Sequence, residues 1–379
     1  MGLALRIGVD LTALTSEPTG VDTYLREFVV ALGRVDQTTA YEVFVNREDW
    51  EQFAGLLPQN FRLRPWCLHN RVVRAGFQQV ALPAACEGMA LQVLHSPSFL
   101  SPAWRGRTRH LVTIHDMTFF TMPQLHSRLR RSRPFRYAVA RSARTADMIN
   151  VPSEVTRRDL LEWWPELDSR RVRVTAAGIG AEFTPQRGAE LEEHRRRLKL
   201  PREYVLFVGT IEPRKNIDLL VEAYRRLQPA ADLVLAGKLG WRYDSLLAAI
   251  RRPELAGRVH LTGFVAPEDL PWVYRGARVF VYPSLYEGFG FPPLEAMACG
   301  IPVVATAGSA LEENLRGAAT LVGVNAAEDL AAALRQILED ETAHAGQRET
   351  GLRRAAEFRW ERTARTILDC YRELAGAGQ

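Results

Sequence analysis

Glu287 and Glu295 stand eight positions apart in VYPSLYEGFGFPPLEAMACGIPVV (281–304), with Gly288 and Gly290 between them. Glycines lack the Cβ that would keep a ligand from backbone amides. Pro292 and Pro293 suit a helix start, where N–H groups lack intrahelical partners and the local field favours an anion. A phosphate on the amides and a polyol on the carboxylates would satisfy this stretch. Upstream, GTIEPRKN carries Arg214 and Lys215, and HLVTIHD carries His115 followed by Asp116. Lysine occurs only at Lys199, Lys215 and Lys238; every other basic residue is arginine. Arginine substitutes poorly where a compact ammonium is required, so the remaining lysines are site candidates. A solvated pair at a helix start is the bland alternative for Arg214 and Lys215, as a structural core role is for a lone histidine.

These residues need a scaffold of alternating elements. Strands are read at 5–11, 41–45, 92–95, 110–115 and 148–151, and a helix with apolar Val21, Tyr24, Leu25, Phe28, Val29 and Leu32 on one face follows Gly20. A Gly-, Ala- and Pro-rich break at 176–188 reads as a linker. A second series follows, with strands at 204–208, 232–236, 259–261, 279–282, 302–305 and 320–322 and a helix at 217–227. In the central stretch a short helix is expected from Pro292, with Glu295 in its first turn. Strands alternating with helices imply parallel sheets covered on both faces, with ligands beyond the carboxyl ends of the strands. His115, Gly209, Gly237, Gly263 and Glu287 fall at or just past those ends. The expected division is residues 1–178, residues 179–359, and a last amphipathic helix in 360–379 that crosses back onto the first domain.

Composition agrees with a soluble globular protein. The 379 residues are 47% apolar and 25% charged, with a net charge of +5. No apolar run reaches the roughly 18 residues that would span a bilayer, and the N-terminus lacks the basic region of a signal peptide. Cys67, Cys86, Cys299 and Cys370 have no metal-like spacing and fit reduced thiols in a cytoplasmic protein.

In order along the chain, FVGTIEPRKNIDLLVEAY, LVLAGKLGW, VHLTGFVAPEDLPWVY and FVYPSLYEGFGFPPLEAMACGIPVVAT resemble the retaining glycosyltransferases of glycosyltransferase family 4, also called group 1. Glu287 and Glu295 reproduce the Glu-x7-Glu spacing of that family. GVDTYLREFVVAL, LHSPSFLSP, VTIHDMTFF and NVPSEVTRRDLL are similar to its bacterial mannosyltransferases. The resemblance implies a GT-B fold: α/β, two Rossmann-like doubly wound domains facing across a cleft, the donor on the C-terminal one and the acceptor mainly on the N-terminal one. It implies transfer with retention at the anomeric carbon, with mannose from GDP-mannose the expected donor sugar and UDP- or ADP-sugars the alternatives. The expected acceptor is a saccharide or lipid-linked saccharide in cell-surface polysaccharide synthesis.

The resemblance also distributes roles. Arg214 and Lys215 match the family's diphosphate-binding pair, with Lys238 a third cation; the arginine that often follows the strand glycine Gly209 is here Thr210. Glu295 is assigned to the ribose hydroxyls and Glu287 to the sugar side of the donor, where it would orient the donor and stabilise charge. The amides of Phe289, Gly290 and Phe291 are candidates for sugar hydroxyls, and that of Leu294 for phosphate. His115 is assigned a contact to the donor sugar, Gly20 an approach to the diphosphate, and Gly237 and Val265 the walls around the base. His126 is a candidate acceptor contact. No cofactor and no metal are expected, because the cations take the electrostatic role a metal plays elsewhere. A GT-B epimerase and a non-catalytic nucleotide-sugar-binding subunit are the alternatives of other classes.

The basic segment SRLRRSRPFRYAVARSAR (Ser127 to Arg144) has apolar residues interspersed, as in segments that lie on anionic membranes. Peripheral contact with the inner face of the plasma membrane is one reading and an exposed arginine-rich helix the other. Nucleic acid is not expected, since no aromatic platform accompanies the charge.

Overall fold

The computed structural model describes residues 5–15, 19–68, 71–104, 106–126, 128–186, 188, 190–227 and 231–376. The chain divides into two compact units: Met1–Pro123 with Arg128–Gly178 and Arg359–Gln379, and Ile179–Phe358 with Gln124–Ser127.

The first unit holds strands β1 (Arg6–Asp10), β2 (Ala40–Asn46), β3 (Phe61–Trp66), β4 (Val93–Ser96), β5 (Arg109–Thr113), β6 (Met148–Val151) and β7 (Val172–Val174) in the order β3-β2-β1-β4-β5-β6-β7. The second holds β8 (Tyr204–Val208), β9 (Asp232–Ala236), β10 (Val259–Gly263), β11 (Val279–Tyr282), β12 (Val303–Thr306) and β13 (Thr320–Val322) in the order β10-β9-β8-β11-β12-β13. All pairings within both sheets are parallel. Each order reverses once, between β1 and β4 and between β8 and β11, which makes both sheets doubly wound and Rossmann-like. Central strands are buried end to end, as in β4, β6, β11 and β12. Such strands read as continuous apolar runs because helices cover both faces.

Two strands escape the sequence reading. β3 (FRLRPW) places polar residues and Pro65 among its apolar ones, and β7 is only three residues long. Both are edge strands, where one side of the ladder has no partner and a proline is tolerated.

The helices that matter below are α1 (Gly20–Val35), α2 (Arg133–Thr145), α3 (Ile217–Leu227), α4 (Leu270–Arg275), α5 (Phe291–Ala298) and α6 (Trp360–Gly376). In α6 Trp360, Ala364, Ile367, Leu368, Tyr371 and Leu374 are buried, and this face packs along α1. Polar bonds fix its position: Thr363 Oγ1 donates to Ala176 O at 2.7 Å, and Tyr371 Oη lies 2.8 Å from His95 Nδ1. From His95 the network continues through Nε2 to Thr113 Oγ1 at 2.9 Å, and Asn150 Nδ2 reaches both Thr113 Oγ1 and Tyr24 Oη at 3.3 Å. Thus α6, β4, β5, β6 and α1 share one buried polar chain. All four cysteines are unpaired. Among the described residues no helix is long and apolar enough to cross a membrane.

Burial, reinforced by the nearby His115, lowers the His95 pKa from 6.5 to about 3. The unfolded chain therefore binds a proton that the folded chain refuses between those two values. Stability is full above about pH 6.5 and falls on acidification toward pH 3, by at most about 1.4 kcal/mol per pH unit. His95→Gln should flatten this slope when urea midpoints are compared from about pH 7 to about pH 4. Parallel slopes for the two proteins would contradict the assignment.

Candidate functional site

In the second unit the site residues gather at the carboxyl ends of β8, β9, β10 and β11. Gly209 (φ +148°) follows β8, Gly237 (φ +144°) follows β9, and Gly263 (φ +69°) ends β10. Gly209 N–H donates to Ala236 O at 2.9 Å and Gly237 N–H to Gly263 O at 2.8 Å. A Cβ on Gly237 would stand 2.1 Å from Gly209 O, so this backbone packing requires glycine. Thr210, Lys238 and Val265 lie half-buried on the loops that continue from this shelf. Ile211 N–H to Lys238 O, at 2.9 Å, joins two of those loops.

After β8 the chain makes a 3₁₀ turn, Pro213–Lys215, closed by Asn216 in the left-handed region (φ +52°), before α3 begins. Asparagine is among the residues that tolerate this conformation, and its Nδ2 is held by Val324 O at 2.9 Å. The turn aims Arg214 and Lys215 at the loop after β11. Lys215 Nζ and Arg214 Nη1 each lie 2.7 Å from Glu287 Oε1, and Ser284 Oγ donates to the same oxygen at 2.6 Å. Lys215 also donates to Tyr282 Oη and sits over that ring, 4.8 Å from its centre. Arg214 Nη2 lies 2.9 Å from Glu212 Oε1 and Nη1 donates to Tyr286 O at 3.0 Å. The backbones are joined too, with Leu285 N–H donating to Arg214 O at 2.8 Å.

Burial by itself would raise the Glu287 pKa. Arg214, Lys215 and the Ser284 hydrogen bond outweigh it and hold the carboxyl at about 2. Burial and the Arg214 charge pull Lys215 below its ordinary value, against the opposing pull of Glu287 and Glu212. Glu287, Arg214 and Lys215 thus form one ion cluster, a direct pairing that the sequence reading did not specify.

Gly290 (φ +92°) caps α5, whose first residue is Phe291. Counting from there, Glu295 is the fifth helical residue and lies beyond the first turn, which corrects the sequence reading. The helix-start field decays within that turn and does not reach it effectively. Its partner is instead Tyr274 of α4, whose hydroxyl donates to Glu295 Oε2 at 2.7 Å. Burial, with Glu182 adding to it and the Tyr274 bond opposing, raises the Glu295 pKa to about 7. Gly288, Phe289 and Gly290 are buried, Leu294 is fully buried as the fourth residue of α5, and Phe291 is half-buried. Asn314 Nδ2 holds Phe289 O at 2.8 Å, and the Phe289 ring meets Phe291 and Phe358 edge-on.

His115 and Gly20 belong to the first unit. His115 lies two residues past β5, and its Nε2 is 2.8 Å from Pro97 O. A carbonyl only accepts, so Nε2 carries the proton. Burial lowers the His115 pKa to about 4, against the opposing Pro97 bond and Asp116, so at neutral pH the ring is uncharged and Nδ1 is an acceptor. Tyr24 and Phe99 meet the ring edge-on at 4.9 and 5.3 Å. Gly20 is exposed and opens α1 behind Thr19. Buried Asp22 accepts from Thr15 N–H and Thr19 N–H, both at 2.8 Å, and so ties the two sides of the loop before α1 together. Residues 16–18 of that loop lie outside the described residues. His126 is buried.

Sequence reasoning missed Ser284, Tyr282, Glu212, Asp22 and Tyr274. All five lie within the quoted motifs, and Asp22 stands three residues after Thr19, the spacing of a capping box. Tyr274 ends a quoted motif, but its role had no local signal, because its partner is 21 residues away on another helix.

Two parallel Rossmann-like units, one with a basic–acidic cluster at its switch point, define a GT-B architecture. The chain matches the glycosyl transferases group 1 family over residues 190–354 and the glycosyltransferase family 4 over residues 18–183. It is 32% identical over 287 residues to the O-antigen chain mannosyltransferase B of Escherichia coli, covering 74% of each chain. It is 30% identical over 244 residues to the serotype-specific mannosyltransferase WbdA of Escherichia coli, covering 62% of this chain and only 30% of WbdA. Among solved structures it superimposes on Anabaena HepE in complex with UDP-glucose with a TM-score of 0.77, at 16% identity, covering 97% of this chain and 100% of the other. The chain belongs to the family 4, group 1 glycosyltransferases, and it is an enzyme of that class.

Proposed function

We propose that this enzyme transfers mannose from GDP-mannose, with retention, onto a growing or lipid-linked saccharide in cell-surface polysaccharide synthesis. The observation that carries this reading is the 32% identity to an O-antigen mannosyltransferase over 74% of both chains. UDP-glucose in the HepE structure keeps a UDP-sugar as the donor alternative.

In this reading the donor diphosphate lies at the carboxyl ends of β8 and β11. Arg214 and Lys215 take up the charge that develops as it departs, with Lys238 beside them. Preorganised cations in a buried site act at little reorganisation cost, which suits transfer without a metal. Gly209, Thr210, Gly237 and Val265 face the nucleotide, and Glu295 accepts from the ribose hydroxyls. The amides of Gly288, Phe289, Gly290 and Phe291 receive the sugar and that of Leu294 a phosphate, with Glu287 orienting the donor. His115, neutral at Nδ1, accepts from a sugar hydroxyl, Gly20 approaches the diphosphate, and His126 contacts the acceptor. Substitution occurs on one face of the sugar, the departing phosphate taking the acceptor's proton.

The segment before and within α2 is proposed to touch anionic membrane. Arg128, Leu129, Arg131, Arg133, Tyr137, Arg141 and Arg144 are exposed, while Val139, Ala140 and Ala143 face the core. Ser127 lies outside the described residues. Exposed Leu129 and Tyr137 supply apolar contacts amid charges that each contribute about 1 kcal/mol near an anionic surface.

Lys215→Ala should keep the fold and reduce sugar transfer by about 100-fold or more; near-wild-type transfer would refute the diphosphate assignment. Calorimetry should give tighter binding of GDP than of UDP or ADP, and hydrolysis of GDP-mannose in the absence of acceptor. Preference for UDP would overturn the donor. In low salt the protein should sediment with phosphatidylglycerol vesicles and remain in solution with neutral ones; equal behaviour would exclude the membrane contact.

A further inference from the structure

Two carboxylates already occupy the cations on which the proposed diphosphate site depends. Arg214 Nη1 and Lys215 Nζ both lie 2.7 Å from Glu287 Oε1, and Arg214 Nη2 lies 2.9 Å from Glu212 Oε1. The formal charges of these four side chains cancel. None is more than 17% exposed, so solvent and salt screen them weakly. A cluster that only attracted anions would keep its cations unopposed.

We propose that Glu287 and Glu212 are resident counter-ions of Arg214 and Lys215, and that a diphosphate enters by competing with them for these cations. The inference rests on the reading of Arg214 and Lys215 as the diphosphate pair. Exchange of one anion for another leaves Lys215 compensated both before and after binding, so the buried ammonium is never left alone. It also sets a limit on diphosphate affinity. The carboxylates return to the cations as the nucleoside diphosphate leaves, which favours product release over product retention. The same Glu287 that orients the donor thus also drives the spent nucleotide out.

The test is calorimetric binding of inorganic pyrophosphate, GDP and UDP to the full chain and to Glu287→Gln, Glu212→Gln and Lys215→Ala. Removing one negative charge a few ångströms from a bound anion should tighten pyrophosphate binding roughly tenfold for Glu287→Gln, and by a smaller factor for Glu212→Gln. The gain should appear for GDP and UDP alike, and pyrophosphate should raise the melting temperature of Glu287→Gln more than that of the wild type. A merely structural Glu287 would give weaker binding on substitution. If Glu287→Gln does not melt cooperatively, Glu212→Gln decides the matter. Unchanged or weaker binding in the glutamine variants, with binding lost in Lys215→Ala, would overturn the exchange and leave the diphosphate reading standing. Wild-type pyrophosphate affinity in Lys215→Ala would overturn both.

Discussion

A buried ammonium is stable only beside a counter-charge, and this requirement organises the strand ends of the second unit. Lys215 is 7% exposed, and the oxygen that compensates it belongs to a residue 72 positions away. Meeting it requires the turn after β8 and the loop after β11 to lie side by side. They do so because β8 and β11 are neighbours at the point where the strand order reverses. Hydrogen bonds then fix the arrangement, with Leu285 held to the Arg214 carbonyl and Ser284 to Glu287. Removing one member leaves the remaining buried charges less well compensated, at a cost to local stability. The site and the local fold therefore share one energetic term.

The two carboxylates of the central stretch differ for the same reason. Both are buried, and burial pushes each toward the neutral acid. Glu287 meets two cations and stays ionised well below its ordinary range, while Glu295 meets a tyrosine hydroxyl and is raised to about 7. Residues of one type, eight positions apart, thus have opposite electrostatic characters. Spacing alone does not reveal this, since the groups that decide it come from the turn after β8 in one case and from α4 in the other.

What was legible in the sequence follows from what is encoded locally. Buried parallel strands such as β8 and β11 are uninterrupted apolar runs and read at their observed limits, and glycines at strand ends mark where the backbone must pack tightly. β3 and β7 were not legible, because an edge strand has no need of a continuous apolar run. The candidate residues were found as types and positions. Their pairing was not, because the contacts of Glu287 with Lys215 and of Glu295 with Tyr274 are made by packing across the sheet and between helices. The basic pair, read as facing a ligand, also contacts a carboxylate of its own chain, which its type and position do not reveal.

The path of the chain has a consequence for the order of assembly. The polypeptide leaves the first unit at Gly178, runs through the second, and returns at Arg359 to lay α6 along α1. Gly178 packs directly on Trp360, and Ile179 N–H donates to Phe358 O at 3.0 Å, so departure and return are adjacent. A ribosome therefore finishes every residue of the inserted unit before it supplies the helix that covers α1. During that interval Tyr24 lacks its contact with Trp360, and the polar chain through His95 lacks Tyr371. Of the two units, the one whose synthesis begins first is completed last.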